Sequence, residues 1–209
     1  PLTLLFTVRE ESGLWGARYV DTALLGEPAM GFNFDGRSAA HVTIGAIGAE
    51  HWQAEIHGRA AHAGGAPERG ISAMLILARA LDTVHAGGWF GKVAKGGKLG
   101  TSNVGPVGGP GGGPAGGATN VVTDFVQVAG ESRSHDAAFC TEITQAYRLA
   151  LEAAARALPN ASGQRGTIHF TSRADYPAFR LSDREAVVQR AVTAVQANGG
   201  TPEIRITNG

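Results

Sequence analysis

Cysteine is all but missing: Cys140 is the only one in 209 residues. A single thiol excludes an internal disulfide and any cysteine-based metal cluster. Its place directly after Phe139, on an expected helix, reads as a packed thiol. Neither sign of charge is in excess, with 18 Lys and Arg against 18 Asp and Glu. With no basic run either, nucleic acid is not an expected partner. No run of about 18 uncharged apolar residues exists, which excludes a membrane-spanning helix of the usual kind. Residues 1–8 show neither the charged leader nor the small-residue cleavage site of a secretory signal, and a cytoplasmic location is expected. Phosphate-binding glycine motifs are lacking too. Gly97-Lys98 is followed by Leu99 rather than Ser or Thr, and no GxGxxG joins a strand to a helix. His41, His51, His57 and His85 show no HxH, HxxxH or HExxH spacing, so no complete zinc site is local in sequence.

Glycine, by contrast, is abundant at 31 residues, many of them between Gly87 and Gly117. The tract 108–117 (GGPGGGPAGG) has nothing to pack and is expected to be a mobile hairpin connection. Around it the chain divides into four blocks. Residues 1–48 read as strand (2–8), short helix (13–22), strand (29–34) and strand (42–47), which is α/β material. The apolar strand Leu2–Val8 needs cover on both faces, yet the block holds too few elements to supply it. An enzyme fragment cut within its catalytic domain is therefore expected.

The second block opens with Trp52, Ala54 and Ile56 alternating with Gln53, Glu55 and His57, the period of a half-buried antiparallel strand. A loop follows at 58–65. A helix over 69–85 is then expected to turn Met74, Leu75, Ala78, Leu81 and Val84 inward. Strands are expected at 101–107, 119–129 and 166–171. A second long helix over 136–158 carries Phe139, Ile143, Tyr147, Ala150, Leu151, Ala154 and Leu158 on one face. The order strand–helix–strand–strand–helix–strand fits a ferredoxin-like α+β sandwich with both helices on one side of the sheet. The last block returns to α/β, with Ser182-Asp183-Arg184-Glu185 as a capping box, a helix, and a strand at 203–207. The expected fold class is thus α/β, a partial catalytic domain (1–48 and 176–209) into which an α+β domain (49–175) is inserted.

Chemistry-bearing residues are few. Glu10 and Glu11 end the first apolar strand, the edge at which active sites of open α/β sheets collect. One carboxylate can take a metal while the other acts as general base, or both can be solvated groups at a helix start. Asp35, at the end of the next apolar strand, shares that ambiguity. His62 lies in a loop of small residues (Ala60-Ala61-His62-Ala63-Gly64) that permits close approach of a ligand or another chain, or leaves it merely exposed. Asn120 suits a turn or a substrate-facing amide. Arg133 suits a carboxylate clamp or an ordinary surface pair with Glu131 or Asp136.

The segments FTVREESG (6–13), FNFDG (32–36), HGRAAHAG (57–64), NVGPVGG (103–109), ATNVV (118–122) and ESRSHD (131–136) together resemble the M20 family. These are di-zinc metallopeptidases and amidohydrolases, and the tripeptidase-like branch is the most similar. The resemblance implies hydrolysis of peptide or N-acyl amide bonds, with zinc as cofactor at two ions per subunit. It makes Glu10 the general base and assigns Glu11 and Asp35 to the metals. It implies that the inserted domain is a lid that forms a homodimer, with His62 reaching the partner's active site to steady the oxyanion. Asn120 and Arg133 would grip the substrate. The family's HxD motif and its last zinc histidine have no counterpart here. A fragment truncated at both ends, inactive by itself and with zinc absent or incomplete, is accordingly expected. A non-catalytic dimerisation or assembly module is the alternative.

Overall fold

Alternation along one central strand organises the larger part of the molecule. In the computed structural model, which describes residues 2–11 and 13–207, the elements in chain order are α1 (Trp15–Arg18), β1 (His41–Ala46), β2 (Gly48–His57), α2 (Ala73–Ala86), β3 (Gly91–Lys95), β4 (Lys98–Gly108), β5 (Phe125–Ser134), α3 (Ala137–Ala157), β6 (Thr167–Tyr176), β7 (Phe179–Arg180), α4 (Ala186–Ala197) and β8 (Glu203–Thr207). The chain separates into two compact units. One comprises the residues up to Val42 with Asp183–Glu203; the other comprises Thr43–Ser182 with the residues from Ile204 onward.

In the second unit a five-stranded sheet has the order β3-β4-β5-β2-β6, every pairing antiparallel. Without β3 this is the ferredoxin-like arrangement expected from the element order. Trp52, Ala54 and Ile56 of β2 and Val126 and Val128 of β5 are buried against α2 and α3 in one core. Their partners in the alternation, among them His51, His57, Glu131 and Arg133, lie on the helix-free face. Residues β7-β1-β8 form a separate three-stranded sheet. No helix among the described residues is long and apolar enough to cross a membrane.

Helix α3 keeps the expected face: Phe139, Ile143, Tyr147, Ala150, Leu151 and Ala154 are buried, with Cys140 beside them. Asp136 caps it, its carboxylate accepting the Phe139 N–H at 3.0 Å. Helix α2 corrects the expectation in both start and phase. Pro67–Arg69 is a separate 3-10 turn, and Ser72 caps the helix by accepting the Leu75 N–H at 3.1 Å. Ala73, Ile76, Leu77, Ala80 and Val84 face inward, while Met74 and Leu75 are exposed. The stretch Ala73–Ala80 is apolar nearly all round, so its spacing fits two faces and packing chooses one.

Three further features depart from the sequence reading. The chain at 87–100 forms a hairpin, β3 to β4, through Gly96 and Gly97 at φ 57° and 79°; the left-handed pair matches the strand twist. Strand β5 starts at Phe125 instead of 119, because the backbone of 120–124 is committed elsewhere. Val122 N–H donates to Ala61, while Asn120 and Asp124 carbonyls accept from Ala63 and Gly58. Helix α4 starts at Ala186, with Glu185 rather than Ser182 at its N-cap position.

In the first unit, residues 2–8 and 29–34 form no strand. No ladder partner reaches either segment among the described residues, and a strand requires one. Leu2, Leu4, Phe6 and Val8 are exposed, as are Phe32 and Phe34. Of the helix expected at 13–22, only α1 and a 3-10 turn at Thr22–Leu25 form.

Candidate functional site

The best-defined geometry surrounds His62. Its loop leaves β2 at Gly58, whose N–H donates to Asp124 at 2.7 Å, and is closed at its base by reciprocal 2.9 Å bonds between Arg59 and Ile71. Between those ends Ala60, Ala61, Ala63, Gly64 and Gly65 offer almost nothing to pack, so hydrogen bonds set its course. Ala63 N–H donates to the Asn120 carbonyl at 2.8 Å, Val122 N–H to Ala61 at 2.9 Å, and His62 bridges Val121. Two of the expected site residues, His62 and Asn120, are thereby held together.

The imidazole is fixed in its tautomer. Nδ1 accepts the N–H of Gly64 at 3.1 Å and of Gly65 at 3.0 Å. An atom that accepts two backbone protons carries none, so the neutral ring bears its hydrogen on Nε2. The result is an exposed N–H donor on a short loop. The two amides are participants that sequence reasoning missed; the trace they leave is the Gly64-Gly65 pair just after the histidine. A Cβ at Gly65 would come within 3.4 Å of Nδ1, so glycine keeps that approach uncrowded.

Arg133 is elsewhere. It lies on the helix-free face of β5 and forks onto Glu131, Nε to Oε1 at 2.9 Å and Nη2 to Oε2 at 3.1 Å. Those hydrogen bonds, outweighing partial burial, raise its pKa further above its ordinary value. The surface-pair reading therefore describes its observed partner. From Phe125, beside the His62 loop, to Arg133 the strand runs roughly 27 Å at about 3.4 Å per residue. One chain does not bring Arg133 to His62.

The carboxylates belong to the first unit. Glu10 and Glu11 sit in an exposed turn where the Glu10 carbonyl accepts the N–H of Gly13 at 3.0 Å and of Leu14 at 2.8 Å. Arg9 before them has φ 57°, a left-handed conformation that costs a non-glycine residue energy. The turn is held by Gly16, whose N–H donates to Val8 at 3.0 Å; a Cβ there would lie 2.6 Å from the Val8 nitrogen. Asp35 is exposed. Among the described residues no three His, Cys, Asp or Glu side chains converge as a metal would require, so the donors present do not make a zinc centre.

Comparison with known proteins gives three findings. The model of the M20 peptidase dimerisation domain matches residues 44–159. An uncharacterised protein, YqjE, of Bacillus subtilis is 29% identical over 209 residues, 100% of this chain and 51% of its own length. Among solved structures, a tripeptidase from Staphylococcus aureus is 31% identical with a TM-score of 0.80, over 97% of this chain and 49% of that one. The aminopeptidase PepT of Bacillus cereus is 29% identical with a TM-score of 0.75, again over 97% and 49%. The chain thus spans about half the length of these relatives.

Proposed function

Since the chain belongs to the M20 peptidase family, we propose that it serves a hydrolase of peptide or N-acyl amide bonds, its second unit joining two subunits and presenting an oxyanion donor. The relatives named a tripeptidase and an aminopeptidase support the reaction class. The observation that carries the proposal is the His62 tautomer. With Nδ1 engaged by the Gly64 and Gly65 amides, Nε2–H is the donor left for whatever docks on the loop. As a carbonyl carbon becomes tetrahedral its oxygen gains charge, and a donor fixed beforehand stabilises that charge without reorganising. Asn120, tied to the same loop, would orient the substrate backbone. Arg133 would hold a terminal carboxylate through the Nη1 edge that Glu131 leaves open. Glu10 is the carboxylate proposed to accept a proton in the same reaction.

Distance supports placing these groups in sites shared between two subunits. A tripeptide is at most about 11 Å long, against roughly 27 Å between the two ends of β5. His62 and Arg133 of one chain therefore serve different substrates, and a second copy supplies the complement. The sheet has an edge suited to that. β3 is five residues long with Lys92 and Lys95 on it, a guarded edge, whereas β6 runs ten residues without Pro or Lys. We propose a homodimer seam at β6; a chain that sediments as a monomer would overturn it.

Glu11 and Asp35 are the carboxylates proposed for zinc. As no three such donors converge among the described residues, the 209-residue chain alone is proposed to be without turnover. The test assays this chain, and a protein of the relatives' full length containing it, on a tripeptide and an N-acyl amino acid. In the longer protein His62→Ala should lower kcat on the order of a hundredfold with KM little changed. Wild-type kcat in that variant would refute the role of His62, and a longer protein that hydrolyses neither substrate would favour the non-catalytic assembly module. Turnover by the 209-residue chain with bound zinc would refute its inactivity.

A further inference from the structure

We infer that Asn160, in the connection from α3 to β6, is a positioning residue for His62; the inference rests on the reading of His62 as the oxyanion donor. Asn160 is 8% exposed and uses every hydrogen-bonding place on its side chain. Its Nδ2 donates to the Arg69 carbonyl at 3.0 Å and to Gln164 Oε1 at 2.9 Å. Its Oδ1 accepts the N–H of Ser162 at 3.1 Å and of Gln164 at 2.9 Å. A buried amide with two donors and two acceptors all engaged is a rigid node.

What the node grips is the His62 loop, at both ends. Arg69 lies near the loop's far end. Gln164 Oε1 also accepts from Arg59 Nη1 at the near end, and Ala161 N–H donates to Glu68 at 2.8 Å. From Arg69 the constraint runs inward along single hydrogen bonds. Arg69 N–H donates to Ala66 at 3.1 Å, and Ala66 N–H to the His62 carbonyl at 3.0 Å. From Ala63 to Ala66 the residues are alanine and glycine, which bring no apolar anchor of their own, so polar bonds decide whether that part of the loop stays shut. The 120–122 segment holds one flank of the loop, and the Asn160 node holds the other. Released on that side, Gly64 and Gly65 no longer meet Nδ1 in register, and the ring loses the preference that keeps its hydrogen on Nε2.

The test reads the imidazole directly, in the full 209-residue chain labelled with nitrogen-15 and held where histidine is neutral. Wild type should show His62 as a single Nε2–H tautomer, with the Gly64 and Gly65 amides protected. In Asn160→Ala those amides should exchange on the order of tenfold faster and the ring shifts should move toward a tautomer mixture, with Val126 and Val128 unchanged. Gln164→Ala removes an exposed side chain and should move the same signals less, in the same direction; it decides the matter alone if Asn160→Ala does not fold. Unmoved ring shifts and unchanged Gly64 and Gly65 exchange in the folded variants would overturn the inference. In the longer protein, Asn160→Ala should lower kcat with KM unchanged. The ring readout stands whatever turnover His62→Ala retains, so failure of the brace and failure of the oxyanion reading remain distinguishable.

Discussion

Replacing Gly130 by alanine adds one methyl group, and the structure leaves it no room. Gly130 stands opposite Trp52 on the helix-facing side of β5. A Cβ there would lie 2.3 Å from Trp52 Cζ2, 2.6 Å from Cε2 and 2.5 Å from the Asn103 carbonyl oxygen. Carbon atoms in contact rest at about 3.5–4.0 Å, so the indole would have to retreat by more than about 1 Å. It has nowhere to go: Trp52 is 3% exposed, with Tyr147 at 4.7 Å and Phe170 at 5.6 Å between ring centroids. The Asn103 carbonyl blocks the methyl from the neighbouring strand. Overpacking of this kind costs about 3 kcal/mol, the upper part of the usual range. For a chain of this size that lowers Tm by roughly 6–12 °C. Near-ultraviolet circular dichroism during heating reads the loss of aromatic packing, and urea titration gives the free energy with an unchanged slope. Gly105→Ala is the control, since a Cβ there meets only the Ala129 carbonyl at 3.9 Å; its stability should stay within about 0.5 kcal/mol of wild type. A Gly130→Ala protein melting within about 2 °C of wild type would refute the account of the core.

Two further outcomes follow from the same unit. Asp136 is held below its ordinary value of 3.8, first by the Phe139 N–H and then by Lys98, whose Nζ is 3.1 Å away. A depressed carboxylate stabilises fully above 3.8 and loses that contribution as pH falls through the folded value. Asp136→Asn should therefore flatten the fall of stability with acid, and curves of urea midpoint against pH that run parallel in the two proteins would refute this. Burial pushes the Cys140 thiol up to about 11, and its Sγ donates to the Ser132 carbonyl at 3.2 Å. A maleimide or disulfide reagent at neutral pH should leave the native protein unlabelled and react only as denaturant unfolds it; prompt labelling of native protein would contradict the packing.

Where burial alone sets the pattern, residue order was enough to read the structure. Trp52, Ala54 and Ile56 alternate because one face of β2 is covered, and the face of α3 follows from apolar residues separated by polar ones. The same rule misled at α2, where Met74 and Leu75 are as apolar as Ile76 and Leu77, and only the sheet beneath distinguishes them. The β3–β4 hairpin escaped because Gly-Lys-Val-Ala-Lys has a weak alternation. Its turn is visible only as Gly96-Gly97 within a stretch already crowded with glycine.

The candidate site divides along a similar line. A histidine among alanines and glycines announces a loop that something can approach, and the motif around His62 was legible for that reason. Its tautomer was not, because the two amides that fix it become donors only when the turn at 62–66 folds. Nor was Asn160, since its partner Arg69 lies 91 residues away and no local pattern encodes such a bond. Leu2–Val8 shows the opposite failure. Its composition says strand, but a strand is a relation between segments, and no segment among the described residues completes it. Local signals state what a residue can do, whereas a site depends on which distant backbone groups arrive beside it. Hydrogen-bond geometry at His62 therefore carries more functional weight here than the exposed carboxylates at Glu10, Glu11 and Asp35.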